Sequence, residues 1–387
     1  MTTGSRISMP VIARYALVSL TPLILILLGA TLWGGFAVAA LIWLTLIAAG
    51  LDHVLAAPKR DADDHAPWSD LLSIVLGTGH LIVLPVVLVA LAIAPHLSFG
   101  TGLALLAATA SFFGQVSHPN AHELIHRRPW PLRALGAAVY TSVGFGHHVS
   151  AHRLVHHRHV GTDKDPNTPL PGESFWAYLP RAWAGSFQAG LECEEDRMER
   201  RGLPERHPLN PYYLWIGGAL AALVAAAFIA GTIGVIGWLI LAMLTAGQIL
   251  MSDYIQHYGL QRLELPNGRV EPVRPHHSWN APRGFSSYLM LNAPAHSEHH
   301  IHPDTPYDRL DPQAEGPTLP YSMPIMAMIA TVPSLWSKMM DKRALKVMTA
   351  AQDRLQRGAS PAPVEHPTDH TDAETDALIA RATRAAE

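Results

Sequence analysis

Histidines spaced four apart are the residues of this sequence best placed to do chemistry. The spacing occurs in "HELIH" (His122, His126), "HRLVHH" (His152, His156, with His157 next to it) and "HSEHH" (His296, His300, with His299 between). On an α-helix, positions i and i+4 share a face, so such a pair can grip one ion. His257, in "DYIQHYGL", brings the set to nine. HELIH alone fits H-E-x-x-H, the zinc-protease signature, with Glu123 as general base. Nine imidazoles are too many for one metal, because zinc takes four ligands and iron up to six. Two metals sharing the nine is the economical reading. Imidazole suits zinc, copper, iron and nickel, so the ligands do not name the metal. Each motif has a bland alternative: a basic face for HRLVHH, a core or capping histidine for His257, a solvated loop for HSEHH. None of these explains why all four occur together. For His118, His147, His148, His159, His276, His277 and His302 the expectation is a supporting, headgroup or solvated role.

The elements that must position these histidines read as membrane spans. The chain has 387 residues, is 49% hydrophobic and only 15% charged, where a soluble protein has about 25%. The apolar residues gather in blocks near 11–28, 32–51, 71–94, 97–116, 212–230 and 233–251. A span needs ~20 residues to cross ~30 Å of hydrocarbon. Pro22 and Gly29 do not veto this, since membrane helices tolerate both. The expected fold is all-α and integral to the membrane, with six transmembrane helices, the last two forming a hairpin at "GTIG". A shorter apolar piece, Leu132 to Phe145, reads as a buried or interfacial helix. Residues 1–340 read as one domain and 341–387 as a polar, disordered tail.

Charge orients the chain. Region 118–210 is rich in arginine, whereas the loops near 29–31, 95–96 and 231–232 carry no Lys or Arg. The positive-inside rule places both termini and every histidine motif on the cytoplasmic side of an inner membrane. The motifs then emerge on one face and can converge. A net charge of −3 suggests no nucleic-acid partner. Cys193 is the single cysteine, which excludes a disulfide framework and a cysteine-ligated cluster.

These motifs, with "YIQHYGL", "HHSWN" and "DPNTPLPGESFW", resemble the integral-membrane alkane hydroxylases, within the membrane di-iron hydroxylases and desaturases. The resemblance covers roughly residues 70–330. It implies that His122, His126, His152, His156, His157, His257, His296, His299 and His300 bind two iron ions facing the cytoplasm. It implies dioxygen as co-substrate, with electrons from a separate rubredoxin or ferredoxin and its reductase. The product would be a primary alcohol, from the terminal carbon of an alkane or similar apolar chain drawn from the bilayer. Glu123, Asp165, Glu173, Gln256, Trp279, Asn280 and Glu298 are the expected supports of the ligands. Ala151, Val155, Gln256, Ala295 and Glu298 depart from the family's usual residues, which bears on the substrate more than on the chemistry. Trp33, Trp43, Leu76, Phe112 and Phe113 are candidates to line a hydrocarbon channel, against a plain packing or lipid-facing role.

Three other readings compete. A desaturase or lipid hydroxylase of the same superfamily would use similar histidines. A zinc peptidase would leave all but HELIH unexplained. A metal transporter would place its ligands within the spans, near the bilayer midplane.

Overall fold

The computed structural model describes residues 11–58, 66–311 and 315–357. Helices dominate, and the described residues contain no extended sheet, only two isolated bridges (Glu264 with Val270, Asn280 with Thr318). Four helices are long and apolar enough to cross a membrane: Val11–Thr31, Trp68–Ile93, Phe99–His126 and Tyr212–His257. Gly35–Leu51 is apolar but shorter.

The 46 residues of Tyr212–His257 would make a straight rod of ~69 Å, more than twice the hydrocarbon thickness. The rod does not form. Gly231 takes φ 57 and ψ −144, outside the helical region. A Cβ on Gly234 would meet the carbonyl oxygen of Ala226 at 2.2 Å. Eight residues apart on a straight helix lie ~12 Å apart, so the chain doubles back at this glycine, where "GTIG" predicts a turn.

Phe99–His126 starts at a capping box. Ser98 Oγ accepts from the Thr101 amide at 3.2 Å, and the Ser98 amide donates to Thr101 Oγ1 at 2.9 Å. The 28 residues of this helix reach ~42 Å, about two turns more than a bilayer core needs. The surplus carries His122 and His126. Trp130–Ser142 packs beside it as a separate helix, as the short apolar piece predicts. A Cβ on Gly136 would lie 2.8 Å from Ala121 O, so glycine is what lets the two helices meet.

The expected boundary at 340 does not match the helices. Pro333–Gln356 runs through it and buries Trp336, Met340, Ala344 and Ala351. These apolar residues recur every four positions or so, the period of a helix face, inside a stretch whose charges read as a tail. Residues 358–387, the rest of that tail, lie outside the described residues. Of the channel candidates, Leu76, Phe112 and Phe113 are fully buried, while Trp33 is 64% exposed and faces outward. Trp43 is half-buried and donates to Val18 O at 3.1 Å.

Candidate metal centre

The structure gathers all nine predicted histidines into two adjoining groups. His122, His126, His152, His157 and His299 form one; His156, His257, His296 and His300 form the other. Within each group the candidate ligand atoms lie within 4.8 Å of one another. In the first, Nε2 of His152 faces Nε2 of His122 at 2.8 Å and of His157 at 2.9 Å. In the second, Nε2 of His296 faces Nε2 of His257 at 2.9 Å and of His300 at 3.1 Å. The rings of His157 and His300 lie 4.7 Å apart and join the groups.

One pairing differs from the α-helical expectation. His152 and His156, i and i+4, fall in different histidine groups, though with Asp253 their candidate ligand atoms also lie within 4.8 Å of one another, while His152 shares its group with His157. The cause is local: His152–His156 is a π-helical turn. A π-turn closes i to i+5 rather than i to i+4, so position 157 comes round to 152. HELIH lies in α-helix, and its i,i+4 pair stays together. HSEHH sends His296 and His300 to one group and His299 to the other.

Buried Nε2 atoms of His126 and His156 have no hydrogen-bond partner. Elsewhere in the groups imidazole nitrogen faces imidazole nitrogen, an arrangement in which each contact can share at most one proton. Burial, and then neighbouring imidazoles, holds His152, His157, His296 and His300 well below the usual histidine range. Neutral imidazole is the metal-binding form. A cation at each focus would use all the inward lone pairs at once, so these residues fit two metal ions.

Supports set the ring orientations. His156 Nδ1 contacts Asp165 Oδ2 at 2.8 Å, and both side chains are buried. Burial pushes His156 down; the Asp165 carboxylate reverses this and holds it above its ordinary value. Asp165 also accepts from the Asn167 amide at 3.0 Å and from Thr168 Oγ1 at 2.7 Å. His257 Nδ1 donates to the His277 carbonyl at 3.0 Å. His277 is held in turn, with Nδ1 accepting from the Arg274 amide at 2.9 Å and Nε2 donating to Glu271 at 3.0 Å. Glu271, His276 and His277 also lie close enough to suggest a metal. The Arg274 amide uses the Nδ1 lone pair, which leaves the proton on Nε2, so this trio is a hydrogen-bonded brace.

The other expected supports act further out. Glu123 pairs with Arg127 at 3.2 Å, as a packing carboxylate does. Glu173 pairs with Arg181 at 2.7 Å. Gln256 donates to Ala293 O at 3.1 Å, and Trp279 to Tyr258 O at 3.0 Å. Asn280 exchanges hydrogen bonds with Ser297, beside His296, at 2.7 and 2.9 Å. Glu298 accepts from the Asp311 amide. Among the leftover histidines, His118 meets Tyr140 at 2.9 Å, His148 lies buried against His152 with ring centroids 5.0 Å apart, and His302 is exposed.

Sequence reasoning missed Asp253. It is buried, lies within 4.8 Å of the candidate ligand atoms of His152 and His156, and accepts from Asn167 Nδ2 at 2.7 Å. The available signal was its place four residues before His257, on the same helix face.

A family model described as fatty acid desaturase matches residues 95–327. Alkane 1-monooxygenase 1 of Alcanivorax borkumensis is 35% identical over 229 residues, covering 58% of this chain and 56% of its own. Alkane 1-monooxygenase 2 of Pseudomonas aeruginosa is 30% identical over 248 residues, covering 62% and 64%. The xylene/toluene monooxygenase hydroxylase component XylM of Pseudomonas putida is 28% identical over 235 residues, covering 59% and 60%. The chain thus spans about three-fifths of the length of these relatives.

Proposed function

Because this chain belongs to the fatty acid desaturase family, and the relatives it matches there carry the name alkane 1-monooxygenase, we propose that it is a membrane monooxygenase of apolar chains. The nine histidines in two groups, seven of them buried and two partly buried, carry the reading. Each group would hold one iron ion. The reaction joins one oxygen atom of dioxygen to a terminal C–H bond; the other leaves as water, with two electrons and two protons supplied. A separate rubredoxin or ferredoxin with its reductase is the proposed electron source.

An alkyl C–H bond offers no handle for acid–base chemistry. Bound iron would supply the redox chemistry that such a bond and dioxygen require. The chain's own residues position and shield. Asp165 and the His277 carbonyl each hold an Nδ1, turning Nε2 of His156 and His257 inward. Phe112 and Phe113, in the span that leads to HELIH, and Leu76, in the span before it, are fully buried and would keep water out. An alkane dissolves in the bilayer, so a site at the end of these spans receives substrate from its own solvent.

We place the histidine groups, the arginine-rich segment and both termini at the cytoplasmic face of an inner membrane, with six spans. Gly35–Leu51 and the two arms of the Gly231 hairpin complete the count. The positive charge of 118–210 supports this orientation.

A second reading, a fatty-acyl desaturase or lipid hydroxylase, is favoured by the description of the matching family model. Product identity separates the outcomes: an oxygen gained on an alkane supports the first reading, and an oxygen gained on, or two hydrogens lost from, a lipid acyl chain supports the second.

A further inference from the structure

A cleft of 650 Å³ lies between Trp130–Ser142, the 148–159 segment and the start of Tyr212–His257. Ile125 and Leu154 line it, but none of the nine histidines does. The cleft therefore backs onto the turns that carry the histidines without opening into their two groups.

Its lining combines an apolar wall with charged groups. Along Tyr212–His257 the wall runs from Leu214 to Ala222, a rise of ~12 Å from the helix's first turn into the span. Ala138 and Gly218 keep that wall open and apolar. Trp130 and Leu214 are 59% and 63% exposed, so the cleft opens to the surface at the first turns of these two helices. The lining also carries three guanidinium groups, Arg133, Arg153 and Arg197, and one carboxylate, Glu194. Glu194 is already satisfied by Arg197 at 2.9 Å and by Ser150 Oγ at 2.8 Å. Arg133 donates to the main-chain carbonyls of Arg127 and Arg128, which leave its charge uncancelled. Thr141 Oγ1 lies buried in the wall with no hydrogen-bond partner.

An alkane has nothing to offer the arginines. A bilayer phospholipid with an anionic headgroup matches both the apolar wall and the guanidinium groups. We propose that this cleft is a binding site for one anionic phospholipid. Its phosphate sits among Arg133, Arg153 and Arg197, and an acyl chain lies along Ala138, Gly218 and Ala222. The lipid would buttress HELIH and HRLVHH from behind. This site is separate from the histidine groups and does not depend on the reaction they perform.

The test uses the full chain in nanodiscs of phosphatidylcholine alone or mixed with phosphatidylglycerol. Lipid retained per chain is read by native mass spectrometry, and stability by thermal unfolding. The wild type should retain phosphatidylglycerol with an enrichment on the order of tenfold over the bilayer, and should unfold at higher temperature in the mixed discs. Ala138→Trp, at an exposed position, fills the cleft without changing charge; R133Q/R153Q removes charge without filling it. Both variants should lose the enrichment and the thermal shift. No enrichment in the wild type, or enrichment that persists in either variant, overturns the proposal. A dimer retaining no lipid overturns it too, by assigning the cleft to a second copy of the chain.

Discussion

Asp165 and His156, nine residues apart, meet in the interior with Oδ2 and Nδ1 2.8 Å apart and both side chains 1% exposed. The carboxylate fixes the ring and keeps its other nitrogen pointed at the second histidine group. Removing one such support typically costs 10- to 100-fold in metal affinity. Asp165→Asn keeps an acceptor but loses the charge, so iron in the second group should weaken by about that factor. Iron retention against a graded chelator measures it, and wild-type retention would assign Asp165 to loop structure alone.

The brace behind His257 predicts a milder effect. Glu271 holds His277, whose carbonyl holds His257. Glu271→Ala removes the acceptor for a buried N–H, at roughly 1–3 kcal/mol. It should loosen iron in the second group and spare the first. Mössbauer spectra of iron-loaded variant and wild type would show one site altered; equal change at both would point to general misfolding.

The groups predict separable ligand losses. His156→Ala should remove the iron of the second group, and His122→Ala that of the first, each abolishing turnover. His302→Ala, at an exposed position, should leave iron content and turnover unchanged. Wild-type turnover in His156→Ala would remove HRLVHH from the site.

Helix Pro333–Gln356 predicts a stability effect at the residue next to His257. Trp336 is 1% exposed and packs edge-on against Tyr258 with ring centroids 5.2 Å apart. Trp336→Ala should cost about 3–5 kcal/mol and lower the unfolding temperature in detergent. Unchanged unfolding would mean that the helix is a detachable appendage.

Much of the site is legible in the sequence because its ligands sit in short motifs with fixed spacing. The apolar blocks place those motifs near span ends, and the described helices agree at Phe99–His126 and at the Gly231 reversal. Pairing within HRLVHH was not legible. Whether 152 pairs with 156 or 157 depends on one π-turn, and spacing alone assumes an α-helix. Asp253 stands one turn before His257 at the head of DYIQHYGL, a spacing many residues share without a role; its approach to His152 and His156 gives it one. Residues 341–356 of the Pro333–Gln356 helix read as tail in the sequence because its buried stripe is diluted there by four basic residues, Lys342, Arg343, Lys346 and Arg354, all exposed. Trp33 shows the converse: an aromatic residue in an apolar block looks the same facing lipid as lining a channel.

The central claim is that the two histidine groups hold iron that adds oxygen to an apolar chain. Purified protein should be analysed for metal, then given octane, a reduced rubredoxin or ferredoxin system and isotopically labelled dioxygen. The account predicts two irons per chain and 1-octanol carrying one labelled oxygen atom. Stoichiometric zinc with no oxygen uptake would contradict it.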